Sequence, residues 1–234
     1  MGYFPFTEEQ VSLKERAAEV AARALAPRAE QTDRTGTYPQ ESLDALRDAG
    51  FWGLRASKEH GGQGADLLST LLVVEELAKK CPSTAMCYKM HLEAAELICR
   101  VPTDEQVERF VRSLARGEVL ATVAGSETWT DGDNWTSTRA VSPMSANEDG
   151  YRIENVRKSY VTSAGHATHF FFLCRIGADT PLANVTFSSS IGTRLRPRFW
   201  SLGVASASKE TRALRSYSTA LYRRRIESVV STLP

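Results

Sequence analysis

The apolar positions of this chain repeat with a helical period up to Gly117 and with a strand period after it. Before Gly117, leucine, valine and alanine recur three and four residues apart, as on one face of an amphipathic helix. After Gly117, short apolar runs and alternating segments follow, which are typical of β-strands. The pattern therefore predicts an α+β chain, with an all-α N-terminal domain at residues 1–117 and a β-rich domain at residues 118–187.

Capping signals divide the first 117 residues into five predicted helices. Thr7–Gln10 and Thr103–Gln106 are capping boxes, in which a hydroxyl caps the helix and a glutamine stands three residues later. The other predicted boundaries are helix ends at Pro27, Gly50, Arg100 and Gly117, and helix starts near Pro39, Asp66 and Ser83. The first helix is expected to turn Val11, Ala18, Val20 and Leu25 inward, and the second Leu43 and Leu46.

Tyr151 to Cys174 is the most informative stretch. It predicts a strand entered from the turn 147–150, a compact unit at 158–163, and an apolar strand from His169 to Cys174. An exposed aromatic residue followed two residues later by a hydroxyl, as at Tyr160 and Thr162, suits a flat ring: the aromatic side chain covers one face and the hydroxyl meets an edge heteroatom. The alternative is an ordinary hairpin with Tyr160 in the core and Thr162 as a strand-favouring residue.

Charge is balanced overall but divided unevenly along the chain. The formal net charge is +1, so the whole chain does not indicate nucleic-acid or membrane binding. Residues 188–234 hold eight Arg and one Lys against two Glu, which makes them +7 and leaves −6 for the first 187 residues. The same segment carries ten Ser. We expect it to be a basic, irregular tail.

The cysteines and the N-terminus bear on the redox state, the metal content and the expected location of the chain. The four cysteines form no CxxC pair and have no histidine at metal-ligand spacing, so we expect free thiols and no metal site. No basic-then-apolar leader and no run of about 18 apolar residues is present. The expected location is cytoplasmic, without a membrane span.

Several short sequence segments, which follow one another in the family's order, resemble the flavin-dependent acyl-CoA dehydrogenase family over roughly residues 6 to 187. They are Phe6-Thr7-Glu8-Glu9-Gln10, Gly50-Phe51-Trp52-Gly53-Leu54, Gly61-Gly62-Gln63-Gly64, Glu75-Glu76-Leu77-Ala78, Ser126-Glu127 and Tyr160-Val161-Thr162. The resemblance implies a helical N-terminal domain followed here by an incomplete β-barrel-like domain. It also implies FAD as the cofactor and α,β-dehydrogenation of acyl-CoA thioesters as the reaction.

The resemblance also assigns flavin-contacting positions. Thr162 is expected to contact the reactive nitrogen N5, Tyr160 to cover the ring and Ser126 to bind its edge. The complete expected cofactor-binding set is Val123, Gly125, Ser126, Gly132, Tyr160, Val161 and Thr162. The chain departs from the family at residues 128–132, where a turn with Trp129 and Asp131 replaces small residues, and the carboxylate of Asp131 disfavours a pyrophosphate contact there.

The family's proton-abstracting glutamate comes from a later helical domain, so no catalytic base is expected in this chain, which is predicted to be truncated and inactive alone. Complete family members are homo-oligomers that pass electrons to an acceptor flavoprotein. His91 is placed by the resemblance among helices that line the acyl cavity; the alternative is a hydrogen-bonded core histidine.

Other interpretations remain open. One is a flavin-dependent monooxygenase on the same fold, which the departures at residues 128–132 favour. Another is a non-catalytic interaction module that pairs with full-length homologues. The tail after Phe187 resembles translation in a shifted reading frame, or else is a native basic segment in which Arg223-Arg224-Arg225 binds nucleic acid or acidic lipid weakly.

Overall fold

The computed structural model describes residues 5–100, 102–125, 143–147, 150–153, 158, 160–176, 185–191 and 228–231. Up to Val119 the chain forms one compact unit, and a second unit begins at Leu120. The first is helical and the second is a sheet, so the predicted α+β class is confirmed. Among the described residues, every helix is too short or too polar to cross a bilayer.

The helical unit contains seven α-helices among its described residues, some joined end to end. Their bounds are α1 Glu8–Val20, α2 Ala26–Thr35, α3 Gln40–Asp48, α4 Leu67–Ala78, α5 Pro82–Cys99, α6 Asp104–Gln106 and α7 Arg112–Ala115. Short 3₁₀ turns lie at Phe51–Gly53 and Lys58–His60. The π-helical turns Ala21–Leu25 and Val107–Val111 join α1 to α2 and α6 to α7.

The first helix does not end at Pro27, so that prediction is wrong. Ala26 N–H donates to Ala21 O, five residues back, and this wider turn carries the chain into α2. Pro27 lies directly after this wider turn, which accommodates a residue without an N–H in the continuous helical path. The chain ends its helical path at Gly36, whose φ is 68°.

Both predicted capping boxes are confirmed, as are the predicted ends at Gly50 and Gly117, which have φ of 80° and 74°. Asp66 caps α4 by accepting from Ser69 N at 2.6 Å. The fourth predicted helix starts earlier than expected, because Cys81 is its N-cap and Pro82 its first residue.

The core of the helical unit is built from one face of each main helix. Its fully buried large side chains include Leu25, Leu43, Leu46, Phe51, Leu54, Leu77 and Tyr88. On α1 the buried residues are Gln10, Leu13, Ala17 and Val20, whereas Val11, which was predicted to face inward, is exposed. The predicted face of α1 was therefore partly wrong, because Leu13 and Ala17 complete the actual buried stripe.

The second unit is a six-stranded sheet with β4 at its centre. The strands are β1 Ala121–Ala124, β2 Pro143–Asn147, β3 Gly150–Ile153, β4 His169–Ile176, β5 Val185–Ile191 and β6 Ser228–Ser231. The main order is β1-β4-β2-β3-β6, and β5 also pairs with β4. β1 is parallel to β4, with Ala121 opposite His169, while β5 is antiparallel to it.

The predicted turn and apolar strand both have counterparts in the sheet. Asn147 pairs with Gly150 across the antiparallel β2–β3 hairpin, and β4 begins at His169 as expected. Of residues 188–234, the structure describes 188–191 in β5 and 228–231 in β6, and both pieces are paired strands. The proposed origin of this tail stays a prediction.

Candidate functional site

The predicted ring-binding unit lies in a segment that runs beside β1 before entering β4. We call residues 160–168 the return segment. Thr122 Oγ1 donates to Thr162 O at 2.7 Å, and Thr168 exchanges hydroxyl hydrogen bonds with Leu120 N and O, each at 3.1 Å. Just before the segment, Lys158 Nζ reaches Gly125 O at 3.5 Å. The chain therefore runs back along β1, from its carboxyl end to its start, and then turns into the parallel strand β4.

Two residues of the return segment have left-handed backbone conformations. Tyr160 has φ of 55° and Ser163 has φ of 61°. A positive φ is uncommon outside glycine and costs about 1–2 kcal/mol. Ser163 O accepts from His166 N at 2.9 Å and from Ala167 N at 2.7 Å, which closes the turn around this conformation. Strained backbone of this kind occurs most often at ligand clamps and active sites.

Tyr160 is 43% exposed, and residues 160–168 lie outside the strands. The alternative of an ordinary hairpin with Tyr160 in the core is therefore wrong. Val161 and Thr162 are half-buried. The side chain of Tyr160 is therefore partly exposed, and the hydroxyl-bearing Thr162 follows two residues later in the same turn.

The remaining predicted cofactor residues are placed as follows. Gly125 directly follows β1, and among the described residues a Cβ built on it would contact Val123 Cγ1, at 3.9 Å. Because side chains alternate along a strand, Val123 points to the face opposite Thr122 and the return segment. Ser126 and Gly132 lie outside the described residues. The structure thus places Thr162 beside Thr122 and Lys158 near Gly125, whereas the side chain of Val123 points to the other face of β1.

The described part of the sheet unit is free of carboxylates: it contains no Asp or Glu. Its titratable groups near the return segment are Lys158, His166 and His169. Burial lowers the pKa of both His166 and His169, so both imidazoles are neutral at pH 7. Lys158 supplies the cationic group next to the carboxyl end of β1.

His91 lies in the core of the helical unit. Its side chain is completely buried, and its Nε2 is 3.0 Å from Trp52 O, so Nε2 carries the proton. Burial lowers the pKa of His91 to about 4. This geometry is that of a hydrogen-bonded core histidine, the alternative weighed from the sequence. A contact between His91 and a substrate stays a prediction.

Two neighbours of His91 hold the same connector. Tyr88 Oη donates to Phe51 O at 2.8 Å, and Trp52 Nε1 donates to Leu43 O at 3.1 Å. The centroids of the Trp52 and His91 rings are 5.4 Å apart. The three polar aromatic side chains therefore fix the 3₁₀ turn Phe51–Gly53 against α3 and α5.

The helical unit also has a shallow cavity of about 330 Å³, lined by Arg16, Gly50, Gly53, Gly61, Gly62, Gln63 and Ala115. Arg16 donates to Ala49 O and to Gln63 Oε1, and Gln63 Nε2 donates to Gly50 O. These polar groups stabilise the turn that they line. Within the described ranges, no three His, Cys, Asp or Glu side chains cluster closely enough to hold a metal ion.

Sequence reasoning missed Thr122, whose hydroxyl forms a hydrogen bond with the return segment. The available signal was a hydroxyl in the middle of the apolar strand 120–124, because a buried hydroxyl requires a partner. That partner is 40 residues away in the chain, so the strand alone could not identify it.

Comparison with known proteins finds a matching family model and related sequences. Residues 7–118 match the family model described as acyl-CoA dehydrogenase, N-terminal domain. A probable acyl-CoA dehydrogenase of Bacillus subtilis is 32% identical over 166 residues, which is 70% of this chain and 42% of the relative. A short-chain-specific acyl-CoA dehydrogenase of Clostridium acetobutylicum is 31% identical over 168 residues, 71% of this chain and 43% of the relative.

Solved structures agree with these sequence relatives. The butyryl-CoA dehydrogenase of Megasphaera elsdenii matches with a TM-score of 0.70 and 25% identity, over 81% of this chain and 50% of that chain. The fold is therefore that of these enzymes, with a helical unit followed by a partial sheet unit. The chain spans less than half the length of the two sequence relatives.

Proposed function

Because this chain belongs to the acyl-CoA dehydrogenase family, we propose that it forms the helical unit and part of the FAD-binding sheet unit of a flavin-dependent oxidoreductase that acts on acyl-CoA thioesters. The observation that carries the proposal is the return segment. It presents an exposed Tyr160 and a half-buried Thr162 on a turn that is bonded to β1.

The described residues fit the edge and one face of an isoalloxazine ring. Tyr160 offers a partly exposed aromatic side chain, Thr162 a hydroxyl that both donates and accepts, and Gly125 a position without a side chain. Lys158 adds positive charge, which suits a cofactor that carries a pyrophosphate. When bound, FAD would supply the capacity to accept a hydride.

Within this proposal, Tyr160 covers the ring and Thr162 donates to or accepts from its edge at N5. Val161, Gly125, Ser126 and Gly132 complete the contacts, and Val123 contributes through its backbone because its side chain points away. The turn 160–167 holds Tyr160, Val161 and Thr162 in place before the ligand arrives, which reduces the entropy that binding must overcome.

Acyl-CoA as substrate, an electron-accepting flavoprotein as partner and a homo-oligomeric assembly are parts of the same proposal. Proton abstraction next to a thioester needs a base within hydrogen-bond reach. The described sheet unit contains no carboxylate that could act as that base. We further propose that the 234-residue chain binds FAD without turning over acyl-CoA by itself.

The test is reconstitution of the purified 234-residue chain with FAD. After excess FAD is removed, the expected absorption spectrum shows one flavin per chain, and anaerobic butyryl-CoA leaves the flavin band unbleached. Loss of all flavin during removal of the excess would contradict FAD binding. Bleaching would contradict only the lack of turnover. Oxygen consumption faster than that of free reduced FAD, together with no bleaching of FAD by acyl-CoA, would indicate the monooxygenase alternative.

A further inference from the structure

Thr122 is a completely buried polar residue in the middle of β1. Its exposed fraction is 0%, and its hydroxyl donates to Thr162 O at 2.7 Å. In the parallel ladder with β4, Thr122 stands opposite Phe170. Its side chain forms the hydrogen bond that joins the middle of β1 to the neighbouring return segment.

The bond reaches the return segment between its two left-handed residues. Tyr160 and Ser163 have φ of 55° and 61°, and Thr162 lies between them. Unfavourable backbone conformations persist only where the surroundings over-determine them. A hydrogen bond to Thr162 O fixes the peptide plane that follows Thr162, and the direction of the Thr162 side chain depends on that plane.

The other bonds to the segment act at its two ends. Thr168 is bonded to Leu120 where the segment enters β4, and the Lys158 bond to Gly125 O is long, at 3.5 Å, and precedes the segment. Turn bonds such as Ala164 N to Val161 O, at 3.2 Å, are internal to the segment. Of the described bonds, the one from Thr122 therefore has the most direct control over Thr162.

We propose that Thr122 is a positioning residue for the flavin site: its buried hydroxyl sets the orientation of Thr162 and holds the 160–164 turn in the ring-binding conformation. This inference rests on the proposed FAD binding at that turn. Thr122 itself, on the buried side of the segment, is not assigned a contact with the ring.

The experiment compares the full chain with Thr122→Val, which keeps the β-branched shape but removes the hydroxyl, and Thr122→Ser, which keeps the hydroxyl. Thr84→Val is the matched control, because Thr84 is also 0% exposed and donates to Cys81 Sγ in the helical unit. Two quantities are measured for each variant: amide hydrogen exchange in a peptide covering residues 160–168 without FAD, and the Kd for FAD.

In Thr122→Val, exchange of the turn amides should become about tenfold faster. The Kd for FAD should rise about fivefold, the effect of losing one hydrogen bond. Thr122→Ser keeps the hydroxyl, so its exchange rate and its Kd for FAD should equal those of the wild-type chain. Thr84→Val should change neither quantity. If Thr122→Val does not fold, Thr122→Ala removes the same donor without adding a methyl group beside the carbonyl.

Two outcomes would overturn the inference by itself: unchanged exchange at residues 160–168 in the hydroxyl-free variant, or an unchanged Kd in a wild-type chain that binds FAD. A serine variant that behaves like the valine variant would do the same. If the wild-type chain binds no FAD, the proposed function fails and the positioning role fails with it. The exchange data then still decide whether Thr122 holds the turn.

Discussion

Gln10 and Asp66 join the N-terminal ends of two helices through one hydrogen bond, from Gln10 Nε2 to Asp66 Oδ2 at 3.0 Å. Gln10 also completes the capping box of α1, because its Oε1 accepts from Thr7 N at 3.0 Å. Asp66 caps α4 through Ser69. Hydrogen bonds with Ser69, and to a smaller extent with Gln10, hold the pKa of Asp66 below its usual value.

Replacing Gln10 with alanine should lower the free energy of unfolding by about 2 kcal/mol, because it removes both a capping bond and the link to α4. The matched control is Gln106→Ala. Gln106 forms the same capping box with Thr103, with Oε1 3.0 Å from Thr103 N. Urea denaturation followed by circular dichroism should give a loss about 1 kcal/mol smaller for Gln106→Ala. Equal losses would show that the Gln10–Asp66 bond contributes nothing.

His91 should make the helical unit sensitive to mild acid. Its pKa is about 4 in the folded chain against 6.5 for an ordinary histidine, because burial disfavours the charged ring. The unfolded chain therefore binds the proton first, so stability is full above pH 6.5 and falls as the pH drops to 4. The expected loss is about 3 kcal/mol.

The measurement is urea denaturation at several pH values for the wild-type chain and for His91→Gln. Glutamine keeps an N–H donor for Trp52 O but does not titrate. The variant should lose less stability than the wild type between pH 6.5 and pH 4. Parallel pH profiles would contradict the assignment of a buried neutral His91.

Gly53 should tolerate no side chain. A Cβ at this position would lie 2.4 Å from Ala115 O, a backbone atom of α7. Gly53→Ala should therefore cost about 3 kcal/mol through overpacking. Gly36→Ala is the contrast, because its φ is 68° but nothing lies within 4 Å, so only the backbone penalty of about 1 kcal/mol applies. Denaturant midpoints that rank the two variants in the opposite order would refute the close approach.

The local signals of the helical unit could be read from the sequence, because a cap or a left-handed glycine acts within a few residues. Both capping boxes and the helix end at Gly50 are of this kind. The continuation through Pro27 could not be predicted, because it depends on a five-residue backbone bond that leaves no side-chain signature. The apolar pattern also did not identify which face of α4 is buried, because Leu67 and Leu71 are exposed whereas Ser69 is buried.

The candidate site was predictable only in part. Tyr160 and Thr162 stand out because their spacing is local, and the family resemblance gives them a role. The left-handed φ of Tyr160 and the bond from Thr122 depend on how β1 and the return segment meet. The bond from Thr122 joins residues 40 positions apart in the chain, and the apolar pattern of one strand does not identify so distant a partner.

Substitutions at Tyr160 and Ser163 distinguish the effect of backbone strain from the effect of aromatic contact with the flavin, because both residues have a positive φ but only Tyr160 is aromatic. Glycine relieves a positive φ, so both Tyr160→Gly and Ser163→Gly should raise thermal stability, by up to about 1 kcal/mol. Only Tyr160→Gly removes the aromatic face, so only that variant should weaken FAD binding, by about tenfold. Calorimetry and FAD titration of both variants test this. Equal weakening of FAD binding in the two variants would argue that the turn conformation matters and the ring does not.

The most direct measurement of the central claim is a titration of FAD into the wild-type chain and into Thr162→Val, followed by flavin fluorescence. Thr37→Val, an exposed threonine of the helical unit, is the control. The account predicts one FAD bound per wild-type chain, the same affinity in Thr37→Val, and a Kd about fivefold or more higher in Thr162→Val. No binding by the wild-type chain, or equal affinity in Thr162→Val, would contradict a flavin site at residues 160–162.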